Sequence, residues 1–186
     1  MRRAEPEHWI YALVSLQTQE GFLGAGNYGV SRMNGGFASR PGLGIDPGRG
    51  PGARFVRDVR RLVAARDDIV RHYGYRSRGG LALLWLEPWD GTSSLPSARL
   101  DPFYVEICRR VRLVAGGDGR LAALAAGSKA ARVEAKLLKG DTGDPWTPCV
   151  PDKEGYKALT LYAGGFSYRR LVPLLFPHSG DADAAR

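Results

Sequence analysis

Gly21 to Gly52 constrains this chain more than any other stretch, because eleven of its 32 residues are glycine. A run so poor in large apolar side chains builds no core of its own. Glycine has no Cβ and tolerates positive φ, so such a loop brings bare backbone close to another surface. Asn27, Tyr28, Arg32, Asn34 and Arg40 are set among the glycines. Those side chains suit contact with phosphate or with base edges. The loop is therefore the first candidate for function.

The rest of the chain must supply the core. It has 186 residues, 44% of them hydrophobic, enough for one folded domain. We expect that domain over residues 1–176, with 177–186 as a disordered tail. The net charge is +8, and Arg supplies 22 of the 27 cationic residues. Guanidinium matches phosphate and the guanine edge, so this balance favours a nucleic-acid partner. A GC-rich genome would raise arginine equally well. The two cysteines, Cys108 and Cys149, form no CxxC pair, which argues against a zinc site or a redox motif. No stretch reads as a signal peptide or a membrane span, so the sequence predicts a cytoplasmic protein with no membrane partner.

Apolar spacing predicts a mixed α/β fold of small antiparallel sheet elements with flanking helices. Residues 5–19 read as a short helix. Residues 54–72 read as the clearest one, with Phe55, Val59, Leu62, Val63, Ile69 and Val70 spaced at three and four. Gly74 stops it. Residues 81–89 read as a buried strand. Residues 103–115 alternate and read as one strand, turned at Gly116–Gly119 into the strand 120–126. Residues 128–138 fit strand or helix. Residues 158–165 read as a strand ending in Gly164-Gly165, and 166–176 as a short helix broken near Pro173.

Catalytic chemistry finds little support. Gly24-Ala25-Gly26-Asn27-Tyr28-Gly29 matches GxGxxG, yet it follows a helix where a dinucleotide site needs a preceding strand. We read the match as chance in a glycine-dense run. The three histidines, His8, His72 and His178, stand in no ligand or triad spacing. Cys108 reads as a small core residue. The acidic pairs Glu87/Asp90 and Asp141/Asp144 fall in turns, where acids are common. We expect no catalytic residue, no metal and no cofactor.

Nucleic-acid contact is better served. Three segments combine small, basic and aromatic residues: the glycine-rich loop, the stretch with Lys129 and Lys136, and Gly164-Gly165-Phe166-Ser167-Tyr168-Arg169-Arg170. Glycine backbone can approach a groove, and Tyr168, Arg169 and Arg170 can insert or pair with phosphate. Each segment alone also reads as a solvated face.

The stretches LQTQEGFLGAGNYGVSRMNGGFASRP, LLWLEPWDGTSSL, DPFYVEICRRVRL, GDPWTPC and LTLYAGGFSYRRLVPLLF, in that order, resemble the large subunit of type I-E CRISPR surveillance complexes, the CasA family of Cascade. The resemblance spans roughly residues 9–176. It implies a non-catalytic subunit that reads the protospacer-adjacent motif on double-stranded DNA and helps open the duplex for guide RNA. It also implies the other Cascade subunits and a recruited helicase-nuclease as partners. Under it, Gly35, Gly36 and Phe37 look like the motif-reading loop. Gly164, Gly165 and Phe166 look like the lead-in to a wedge with Tyr168, Arg169 and Arg170 at its tip, where well-known members carry asparagine and glutamine. The resemblance also implies a motif-reading lysine, a place that Lys129 or Lys136 would take. The chain is shorter than family members and reads as a fragment. The alternatives are a nucleic-acid-binding module outside CRISPR, and a nucleotide-using enzyme with the glycine-rich loop as phosphate site.

Overall fold

The computed structural model describes residues 4–33, 40–46, 48, 50–161, 163 and 168–175. The fold is mixed α/β, with three α-helices and three two-stranded pairings among the described residues. Helix α1 spans Pro6–Gln19. Pro6 opens it, where a missing N–H is harmless, and the Glu5 N–H donates to His8 Nδ1 at 2.9 Å. Helix α2 spans Pro51–Tyr73, again opened by proline, and ends at Gly74 with φ 68°. Helix α3 spans Tyr168–Leu175, with Pro173 inside it.

Strand β1 (Leu81–Leu83) pairs in parallel with β2 (Leu100–Val105). The hairpin β3 (Arg110–Ala115) and β4 (Leu121–Ala126) runs in register from Arg110↔Ala126 to Ala115↔Leu121. A second hairpin joins β5 (Cys149–Asp152) to β6 (Gly155–Ala158). The main core lies between α2 and the β1–β2 pair. It holds Ile69, Tyr75, Leu84, Leu95, Leu100, Val133 and Ala135, with Leu84 and Leu100 fully buried. Arg66 clamps α2 to β2 through a two-pronged bond to Asp101, at 3.2 and 2.6 Å. A smaller cluster of Val30, Met33 and Cys108 anchors the glycine-rich loop.

Several expectations need correction. Residues 103–115 are two strands, because Cys108 and Arg109 give their N–H groups to Gln17 Oε1 and leave the ladder. Residues 81–89 keep only three strand residues before a 3-10 turn at Leu84–Leu86. Of the strand placed at 158–165, Ala158 ends β6 and 159–161 are not strand, while 162, 164 and 165 lie outside the described residues. Residues 128–138 are mostly loop, with a 3-10 turn at Lys136–Leu138. The apolar stripe of α2 is buried only in its second half, and Phe55 and Val63 are about 70% exposed. Along α1, Ile10 and Val14 stay open beside Trp85 and Leu124, lining a groove of about 970 Å³.

Candidate nucleic-acid interface

The glycine-rich loop leaves α1 and folds back on itself. Leu23 N–H donates to the Asn27 carbonyl, Asn27 N–H to Gly24, and Val30 N–H to Glu20. Gly29 packs directly on the chain entering the turn. A Cβ there would lie 2.6 Å from the Gly21 carbonyl carbon and 2.7 Å from the Phe22 nitrogen. Arg109 holds the turn from beneath, donating to the carbonyls of Tyr28 and Gly21. Of the GxGxxG glycines, Gly29 thus serves the turn's own packing, while Gly24 and Gly26 supply positive φ. Within the match, the Asn27 amide is already paired with the Gly24 carbonyl.

That turn meets two other loops at one corner. Ser128 N–H donates to the Gly26 carbonyl at 3.0 Å, and Lys129 N–H to the Gly91 carbonyl at 2.7 Å. The Tyr28 hydroxyl reaches the Lys129 carbonyl at 3.4 Å. Asn27, Tyr28 and Lys129 are thereby neighbours, although 101 residues separate Tyr28 from Lys129. The Asn27 and Lys129 side chains are exposed, and Tyr28 is half-buried beside Phe22, with ring centres 6.1 Å apart.

Arg32 and Arg40 are placed differently. Arg32 donates to the Thr18 carbonyl at 3.0 Å and pairs with Asp144 at 3.5 Å. Arg40 donates to the Arg32 carbonyl at 3.0 Å, packed over Gly140, where a side chain would collide with the guanidinium. Burial lowers the Arg40 pKa, against a smaller opposing pull from Cys149. These two arginines tie together the chain on either side of residues 34–39. The candidates Asn34, Gly35, Gly36 and Phe37 lie outside the described residues, as do Gly164, Gly165 and Phe166. Lys136 is exposed on its 3-10 turn. Tyr168 and Arg169 are exposed on the first turn of α3, with Arg170 following in the same helix.

The sequence reading missed a buried polar centre behind the loop. Glu106, just past β2, accepts from the Ser31 N–H at 2.6 Å and the Ser31 hydroxyl at 2.7 Å, both on Oε2. Ser31 also shares a hydrogen bond with the Tyr104 hydroxyl. Glu106 Oε1 has no partner, and neither has the buried Nε of Arg132. Burial pushes the Glu106 carboxyl up to about 7, despite the Ser31 bonds and the Arg32 and Arg132 charges. The only signal for it in the sequence is an acid within the apolar alternation of FYVEIC.

Other titratable groups take structural roles. Burial pushes the thiols of Cys108 and Cys149 up to about 12, so both are protonated at neutral pH. Glu87 pairs with Arg99 at 2.7 Å, and Asp141 accepts from the Tyr73 hydroxyl. Among the described residues, no group of three His, Cys, Asp or Glu is arranged to hold a metal ion. No helix among them is long and apolar enough to cross a membrane.

No family model matches this chain, and no curated protein or solved structure does either.

Proposed function

We propose that this chain is a non-catalytic DNA-recognition subunit of a type I-E CRISPR surveillance complex, reading a short motif on duplex DNA and helping to open it. The observation that carries the reading is the corner where Asn27, Tyr28 and Lys129 meet beside paired loop backbone. The exposed Asn27 amide and Lys129 ammonium, set beside the half-buried Tyr28 ring, suit groove and phosphate contact. The charge balance supports it. Arg60, Arg61, Arg76, Arg78, Arg112, Lys129 and Lys136 are exposed, and no described carboxylate lies within ion-pair distance of them. Unpaired cations of this kind supply the sequence-independent part of DNA affinity. The protein then reads only the short motif and the duplex shape, and guide pairing reads the sequence. Its partners on this reading are duplex DNA, guide RNA, the other subunits and a recruited helicase-nuclease.

The test is duplex binding by variants of the full chain. Lys129→Ala and Arg169→Ala should each weaken duplex affinity across sequences and reduce the salt slope by about 1. Their melting temperatures should not move. Arg32→Ala should instead lower the melting temperature, because Arg32 ties Thr18 to Asp144. Unchanged affinity in both Lys129→Ala and Arg169→Ala would remove this interface.

A further inference from the structure

Strand β4 leaves one edge of its hairpin open. The Gly116 N–H donates to the Arg120 carbonyl at 2.7 Å, and the register runs without a break from there to Arg110↔Ala126. Backbone groups along an antiparallel pair alternate between facing the neighbouring strand and facing away. Ala122, Leu124 and Ala126 therefore turn their N–H and C=O groups toward β3, and Leu121, Ala123 and Ala125 turn theirs outward. No hydrogen bond from the described residues reaches these outward groups. Ala122 to Ala126 are exposed without interruption, with Leu124 at 59%.

Folded proteins guard such edges with charge or proline, because an open ladder recruits another strand. The other described strands of more than three residues follow that rule. β2 carries Asp101 and Pro102, β3 carries Arg110 and Arg112, β5 carries Pro151 and Asp152, and β6 carries Lys157. β4 reads Leu121-Ala122-Ala123-Leu124-Ala125-Ala126 and has neither device.

We propose that β4 is a homodimer interface, pairing antiparallel with β4 of a second copy of this chain about a twofold axis at Ala123. The open backbone requires a strand as occupant, and the side chains select this one. Outward groups meet outward groups when Leu121 of one copy lies opposite Ala125 of the other, and Ala123 opposite Ala123. The intervening positions then set Ala122 opposite Leu124. Every leucine meets an alanine, so the larger side chain fills the space left by the smaller, on both faces of the sheet. β4 offers no charge that a charged strand could match. Arg120, next to it in sequence, is already paired with Asp118 at 3.0 Å, and the antiparallel arrangement puts the two copies of Arg120 at opposite ends. The pairing is isologous and closes on itself. It makes a sheet in the order β3-β4-β4-β3, whose outer edges carry Arg110 and Arg112, so growth stops there. It also gives the hairpin the further strands that a two-stranded pair needs for stability. The proposal does not depend on the DNA-recognition reading above.

Sedimentation equilibrium of the full chain, freed of nucleic acid, tests it. The wild-type mass should rise from 20.2 kDa toward twice that value as concentration climbs to about 1 mM, a range that reaches weak interfaces. Ala123→Lys and Ala123→Glu each place like charges opposite one another across the axis and should remain monomeric. Mixed in equal amounts, they place Lys opposite Glu and should restore the dimer. Residue 123 is exposed, and circular dichroism confirms that each variant is folded. Ala123→Pro removes only an outward N–H and should also abolish the dimer, so it decides by the same readout if a charged variant fails to fold. A wild type that stays monomeric at about 1 mM would overturn the interface. So would a dimer that persists in the folded variants, or a mixture that stays monomeric. Masses beyond the dimer would overturn the closed pairing.

Discussion

Gly29→Ala is expected to destabilise the chain strongly while Gly24→Ala does so mildly. The two glycines sit in one GxGxxG match, so a phosphate-cradle reading treats them alike. Their surroundings differ. A Cβ on Gly29 meets backbone of Gly21, Phe22 and Glu20 at 2.6, 2.7 and 2.9 Å. Backbone cannot rotate aside as a side chain can, so the turn must open. Overpacking of this kind typically costs about 1–3 kcal/mol, and a triple backbone contact belongs at the top of that range. For a chain of this size the melting temperature should fall by roughly 6–12 °C. Gly24 has φ 112° and nothing within 4 Å of its Cβ position. Its substitution carries only backbone strain, about 1–2 kcal/mol. Thermal melts of both variants check this. Equal melting temperatures would show that the turn does not pack as described.

Stability should also fall as pH rises from about 4.5 to about 7, through Glu106. Its carboxyl is pushed from an ordinary 4.5 up to about 7, mainly by burial. A group whose folded pKa is raised contributes its stability fully below the unfolded value. It loses that contribution as pH climbs through the folded value. Above pH 7 the folded protein must hold a buried carboxylate whose Oε1 has no donor. The groups acting on it include Ser31, Tyr104, Tyr75, the Cys108 thiol and the Arg32 and Arg132 cations. Burial raises the pKa of both tyrosines, so neither ionises in this window. The swing should be on the order of 3 kcal/mol across the window. Asp101 and Asp152 act at lower pH, since their carboxyls are depressed. Denaturant melts at pH 5 and pH 8 should therefore differ for the wild type and converge for Glu106→Gln. A pH difference that survives in Glu106→Gln would assign the effect to another group.

The parts of the fold that were legible are those where one periodicity acts alone. The three-and-four spacing of 54–72 and the αL residue Gly74 gave α2 to within a few residues. Gly116–Gly119 between alternating runs gave the β3–β4 hairpin. Reading failed where a distant side chain captures backbone groups. Gln17, 91 residues from Cys108, takes the amides that would have continued β2 into β3. The alternation of FYVEICRRVRL persists through that break, so the pattern concealed it. The same spacing does not tell which part of α2 packs, since Phe55 and Val63 belong to the stripe and stay exposed. At the candidate site, the pairing of Asn27 and Tyr28 with Lys129 depends on loop-to-loop bonds that no local pattern encodes. Arg32 and Arg40 looked like free phosphate partners because their acceptors, a Thr18 carbonyl, Asp144 and the Arg32 carbonyl, are set by tertiary structure. The Ser31–Glu106 centre escaped because its two halves lie 75 residues apart.

The most direct measurement of the DNA-recognition account is the affinity of the full chain for duplex DNA as a function of salt. Each phosphate neutralised by an exposed Arg or Lys releases counterions. The logarithm of the binding constant should therefore fall linearly with the logarithm of salt concentration, by about 0.9 per phosphate contacted. We expect measurable binding at about 50 mM salt, lost steeply by about 200 mM. Absence of binding at the lower salt, or affinity indifferent to salt, would contradict the account.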